Sequence, residues 1–312
     1  MISNFWVNAF PILASVPDWA PGTGWKRIAR GWREQKVKAI NTPYEWTKQQ
    51  ISSCLIQDYV QAKGDFEYSF LSSLLDDNQS ASESCTAEQE AELKELCYTL
   101  FGGGTDTTGT ALLSFVAAMV AHPKAQMKAQ AEIDSVIGYA TRLPTLADAP
   151  QLPYVQQLIL EVLRWLPVSP TGGPPHGCSQ DNVYRGYDIQ KGTNVMVNLW
   201  ALSRDETVYN NPEVFDPERF SNSNIAPLPN FGWGRRKCPG IHFAEASLFL
   251  FISSMLATFS FSRKVDLNGR EVTPKIEGDY NNLTLTLKPF EFELCLRSEE
   301  HQQLVIDNMP KD

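Results

Sequence analysis

Apolar positions along this chain fall into stretches of helical spacing, punctuated by proline and glycine. From Thr42 the run Thr-Pro-Tyr-Glu supplies an N-cap, a proline in the first turn and a glutamate three residues on. It predicts a helix from Thr42 to about Ala62. Upstream, residues 1–30 are rich in Trp, Pro and Gly and read as irregular. A shorter helix is expected over about 66–75, then a polar, serine-rich surface loop over 78–85. A long helix follows over about 87–121, ended by His122-Pro123. Residues 124–137 make the next helix, closed by Gly138, and 152–166 another, stopped before Pro167. Alternating residues at 183–189 and 193–199 predict two strands joined around Lys191-Gly192. Residues 205–238 form a long, mostly irregular segment rich in Asn and Pro, of a length that in a compact domain is usually functional or disordered. Residues 241–259 are the last long helix, and 283–287 and 290–296 are closing strands. The fold class is mainly α with small β-sheets.

The apolar run at 241–259 contains His242, Glu245 and several serines, so it reads as a buried core helix rather than a membrane span. Within 87–121, Gly102-Gly103-Gly104 calls for a reason, because each glycine in a helix costs up to about 1 kcal/mol relative to alanine. A local bulge, or close approach of the backbone to a ligand, would supply one.

With 312 residues and 43% apolar content the chain can bury a sizeable core. A net charge of −9 argues against nucleic-acid binding, which rests on neutralising phosphates with Lys and Arg. Cys54, Cys85, Cys97, Cys178, Cys238 and Cys295 are scattered, with no C-x-x-C pair. That pattern suits free thiols in a reducing compartment. No basic, then apolar, leader opens the chain.

One cysteine stands apart. In the run 231–240, Phe-Gly-Trp-Gly-Arg-Arg-Lys-Cys-Pro-Gly, Cys238 sits on a glycine-rich loop just before an apolar helix. The helix dipole and three adjacent cations favour thiolate over thiol there, an environment for a metal-bound or nucleophilic sulfur. Zinc is a weaker alternative. Cys238 and His242 are four apart, but no two further ligands lie nearby.

The run fills every fixed position of Phe-x-x-Gly-x-Arg-x-Cys-x-Gly, and there it resembles the haem-binding loop of the cytochrome P-450 family. Two further motifs follow the family order. Glu161-Val162-Leu163-Arg164 precedes Pro217-Glu218-Arg219-Phe220, and Gly103-Gly104-Thr105-Asp106-Thr107-Thr108 lies inside the long helix. Taken alone, Glu-x-x-Arg is better read as a surface ion pair, and the glycine-threonine run as an irregular helix. Weaker similarities are His122-Pro123 with Glu132-Ile133-Asp134, Tyr184-Arg185-Gly186-Tyr187, and the fungal-type stretch from Phe10 to Gly24.

The resemblance implies a cytochrome P-450-like fold lacking its N-terminal helices, with residues 1–312 the C-terminal part of a single domain. It implies haem b with Cys238 as axial thiolate, Phe231 packed beside it, and Gly234 and Gly240 shaping the loop. Arg236 would reach a haem propionate. Gly103 and Gly104 would make room for dioxygen, while Asp106 and Thr107 pass protons to it. Glu161, Arg164 and Arg219 would form a buried network that holds the cysteine-bearing region.

The implied activity is a monooxygenase of fungal secondary metabolism. It would insert one atom of O2 into an apolar organic substrate, with electrons from NADPH through a flavoprotein reductase. Arg235, Arg236 and Lys237 would help dock that acidic partner, or form a solvated basic turn. Members are usually anchored at the cytoplasmic face of the endoplasmic reticulum. Without that anchor this chain is expected to be soluble. Gly177 stands where many members carry an arginine for a propionate, and His176 is the candidate substitute. Two other readings stay open: a family fragment that binds no haem, and a helical interaction module with no haem role.

Overall fold

In a computed structural model the described residues are 5–56, 71–75, 86–266, 268–279 and 283–309. The expected loop at 78–85 lies outside them, as do the first half of the helix expected over 66–75 and the end of the one expected to reach Ala62. The chain divides into two compact units, Ile2–Gly103 and Gly104–Asp312.

The first unit opens with a short helix, α1 (Trp6–Ala9), and a 3-10 turn at Pro11–Ser15. Helix α2 (Gly24–Ile56) follows, so residues 1–30 are not wholly irregular. Nor does the helix begin at Thr42. Pro43 lies within it, because a proline inside a helix forfeits one amide bond that the continuous ladder around it can tolerate. Local side chains return to the ladder nearby: Asn41 Nδ2 donates to Val37 O at 2.8 Å and Thr47 Oγ1 to Pro43 O at 2.9 Å. A helical segment, α3, occupies 71–75. The N-terminal half of α4 (Ala87–Ala121) completes this unit. There Lys94 pairs with Glu90 and Glu45 and stands 4.5 Å over the Tyr44 ring.

Helix α4 runs as α-helix through Gly102-Gly103-Gly104, so of the two reasons for the glycines the local bulge is not the one seen. A Cβ on any of the three would meet nothing within 4 Å. The glycines border open space, which is what close approach of another group requires.

The second unit is built on the rest of α4 with α5 (Pro123–Ile137), α6 (Pro153–Trp165) and α8 (Ile241–Thr258). Phe115 and Met119 of α4, Ile133 of α5, Leu158 of α6 and Ile252 of α8 lie in one buried cluster. Helix α8 is long and apolar enough to cross a membrane by length and composition. Its Leu248, Phe249, Ile252 and Leu256 are nevertheless part of this core. Gly138 ends α5 with φ +97°, where glycine avoids the penalty of a Cβ.

Among the described residues the sheets are four two-stranded antiparallel pairs. Strand β1 (His176–Gly177) pairs with β4 (Asn194–Val195), and β2 (Asn182–Tyr184) with β3 (Tyr187–Ile189). The expected pair of strands turning at Lys191-Gly192 is therefore wrong. The hairpin turns at Arg185-Gly186, with φ +49° and +84°, the two-residue turn whose twist suits a hairpin. A short helix, α7 (Leu199–Leu202), follows. Strand β5 (Phe259–Ser262) pairs with β8 (Glu293–Leu296), and β6 (Gly278–Asp279) with β7 (Thr286–Leu287). The last helix, α9 (Glu299–Asp307), was not expected.

Candidate functional site

Cys238 lies on the turn that leads into α8. Its amide donates to Phe231 O at 2.8 Å, which closes the loop on itself. Gly232 and Gly234 take φ +74° and +57°, backbone that residues with a Cβ avoid. The Gly232 amide donates to Pro229 O and the Lys237 amide to Gly234 O. Phe231 thus serves the loop through its carbonyl, a role that its aromatic side chain does not advertise in sequence. The thiol is exposed and free. A Cβ on Gly240 would stand 3.9 Å from Cys238 Sγ, so the glycine leaves that side of the sulfur clear. No side chain caps the N-terminus of α8, and its first amides make the surroundings electropositive.

Arg235, Arg236 and Lys237 are exposed, and their side chains have no ion-pair partner among the described residues. His176 is exposed on β1, paired in register with Val195. No group of three or more His, Cys, Asp or Glu side chains that could hold a metal occurs among the described residues. A single exposed thiol among unpaired cations fits a prosthetic group that brings its own metal and its own carboxylates.

Glu161, Arg164 and Arg219 meet in the second unit. Glu161 and Arg164 are fully buried, and Arg219 nearly so. Arg164 donates Nε to Glu161 Oε2 and Nη2 to Oε1, both at 2.8 Å. Its Nη1 reaches the carbonyls of Ser203 and Pro212, each at 2.8 Å. Arg219 Nε donates to both Glu161 oxygens at 3.0 and 3.1 Å, and its outer nitrogens to Asn210 O and Val214 O. The Asp216 amide completes the carboxylate shell at 2.8 Å. The Arg164 guanidinium also lies 5.4 Å over the Tyr209 ring. Burial raises the Tyr209 hydroxyl above its ordinary pKa, and that hydroxyl donates to Ala226 O at 3.0 Å. The two guanidinium groups share one carboxylate and place their remaining donors on backbone carbonyls, which makes burying them tolerable.

On α4, Asp106 is exposed and Thr107 half-buried, both beyond the unit boundary at Gly103/Gly104. They are adjacent on the helix, so their side chains leave the axis about 100° apart. An apolar cleft of about 380 Å³ is lined by Pro170, Thr171, Met196, Val197, Asn198 and Trp200. None of the cysteine-loop residues, Asp106 or Thr107 lines it. No local pattern in the sequence singles out these cleft residues.

The comparisons with known proteins agree on one family. The model of Cytochrome P-450 matches residues 1–295. Cytochrome P-450 monooxygenase 208 of Postia placenta is 41% identical over 308 residues, covering 96% of this chain and 56% of its own length. Cytochrome P-450 monooxygenase claR of Ampulloclitocybe clavipes is 37% identical, covering 96% and 53%. A zebrafish cytochrome P-450 solved with abiraterone superposes with a TM-score of 0.65 at 33% identity, over 76% of this chain and 56% of that one. The chain belongs to the cytochrome P-450 family, and it spans little more than half the length of these relatives.

Proposed function

We propose that this chain is the haem-thiolate part of a monooxygenase that converts an apolar substrate R–H, with O2, NADPH and a proton, to R–OH, water and NADP+. The observation that carries the reading is Cys238: a free, exposed thiol on a backbone-locked loop, beside a helix N-terminus and three unpaired cations. When bound, haem b supplies the reductive activation of dioxygen and the oxidation of substrate. The chain's own residues do the rest. Cys238 Sγ ligates, and Gly234 and Gly240 keep its approach open. Arg236 pairs with a propionate, with His176 as a second partner in the place that Gly177 leaves empty. Thr107 Oγ1 and Asp106 hold and pass a proton on the side of α4 that Gly103 and Gly104 keep clear. The apolar cleft at Met196 and Trp200 suits an apolar substrate. Arg235 and Lys237 help dock a flavoprotein reductase at the endoplasmic reticulum membrane.

Coverage of only 56% of a relative's length favours a second reading, a family segment that holds no haem. Titration of the purified chain with haemin separates the two. The enzyme reading expects saturation at about one haem per chain, lost in Cys238→Ala. With NADPH and a fungal reductase, Thr107→Ala should consume NADPH while releasing more peroxide. A folded chain that takes up no haemin sinks the enzyme reading for this chain.

A further inference from the structure

Helix α6 carries both Glu161 and Arg164, yet nothing in its own flanking sequence caps its start. Leu152 is its N-cap and offers no side-chain acceptor, and Pro153 has no amide. The next two amides are satisfied from α5. Tyr154 N donates to Glu132 Oε1 at 2.9 Å, and Val155 N to Glu132 Oε2 at 3.0 Å. One carboxylate therefore takes one amide with each oxygen.

At the other end, Arg204 reaches the last carbonyls of α6. Its Nη2 donates to Trp165 O at 2.8 Å, and its Nη1 to Arg164 O at 3.4 Å and Ser203 Oγ at 2.6 Å. The same guanidinium lies 3.6 Å from the centre of the Trp200 ring, in the wall of the apolar cleft. Anion at the N-terminus and cation at the C-terminus are the signs that a helix dipole stabilises. Neither residue touches Glu161.

Apolar packing is non-directional and does not fix where a helix stands along its axis. The network needs that position fixed, because Glu161 and Arg164 must meet Ser203 O, Pro212 O and the Asp216 amide at hydrogen-bond distance. A slip of one residue, about 1.5 Å, would break those contacts. We propose that Glu132 and Arg204 are positioning residues that clamp the two ends of α6 and so hold the Glu161–Arg164–Arg219 network, and the segment leading to Cys238, in register. Only the final link to Cys238 rests on the haem reading.

Amide hydrogen exchange on the full chain tests this without haem. In Glu132→Ala, exchange at Tyr154 and Val155 should quicken about five- to tenfold, as loss of a helix cap implies. The Asp216 amide, which Glu132 does not touch, should quicken with them. The Cys178 amide, bonded to Thr193 O beside the β1–β4 pair and outside α6 and the network, is the control for a local effect and should not change. Glu132→Gln keeps one acceptor oxygen and should recover part of the protection, and it stands in if the alanine variant fails to fold. Arg204→Ala should likewise quicken Asp216, with Arg204→Lys intermediate. In haem-loaded protein the thiolate-type share of the carbon-monoxide band should fall in the same order. Unchanged exchange at Tyr154 and Val155 would overturn the cap. A local change that leaves Asp216 unmoved would overturn the clamp. Parent protein without haem would defeat the proposed function while the exchange results still decided the clamp.

Discussion

Glu161 accepts hydrogen bonds from two arginines and the Asp216 amide inside a site closed to solvent. Glu161→Ala leaves two buried guanidinium groups without their shared anion. The expected cost is about 3–5 kcal/mol in urea unfolding. A loss below about 1 kcal/mol, the scale of a surface pair, would contradict the arrangement. Asp148 offers a second case. The Arg142 guanidinium, and then the Thr145 amide, hold its carboxyl well below the usual carboxylate range. A depressed folded pKa stabilises above the unfolded value and loses that contribution as the pH falls. The melting temperature should therefore drop between about pH 5 and pH 2, and Asp148→Asn should start lower and lose less over the same range. Equal acid slopes in both proteins would refute this. The triad was legible because Glu-x-x-Arg and Pro-Glu-Arg-Phe together resemble a known pattern. Glu132 and Arg204 were not legible as caps, because a side chain that caps a distant helix leaves no local signature in sequence.

Among elements, those ended by strong local punctuation were readable. Helix α4 matches its expected bounds because His122-Pro123 stops it, and α5 because Gly138 does. Elements whose cues compete were not. Thr42-Pro43 looks like a helix start, but the chain around it continues a helix already under way. Arg185-Gly186 and Lys191-Gly192 both offer a glycine at positive φ, and only strand pairing decides which turns the hairpin. Ser298 begins α9, accepting from the His301 amide, but nine residues give too little periodicity to see. The loop ahead of β1 gives a sharper test. Gly172 has φ +75°, and a Cβ there would lie 2.8 Å from Val197 Cβ and 3.0 Å from its carbonyl. Gly173 has φ +87° and open space around it. Gly172→Ala should cost about 1–3 kcal/mol in denaturant unfolding, and more than Gly173→Ala. The reverse order would contradict the packing of this loop on Val197.

At the scale of the whole molecule, the second unit carries a buried core, an ion network and an exposed cysteine loop. The core and the network are satisfied within the chain, while Cys238 is a free, exposed thiol beside three cations with no ion-pair partner among the described residues. In the proposed reading, haem would bring a metal to the thiol and carboxylates to the cations. The most direct measurement is the reduced, carbon-monoxide difference spectrum of the purified chain beside Cys238→Ala. The account predicts a red-shifted Soret band of thiolate-ligated haem in the parent and its loss in the variant. A band that survives removal of Cys238, or a folded parent that shows none after haem is supplied, would contradict it.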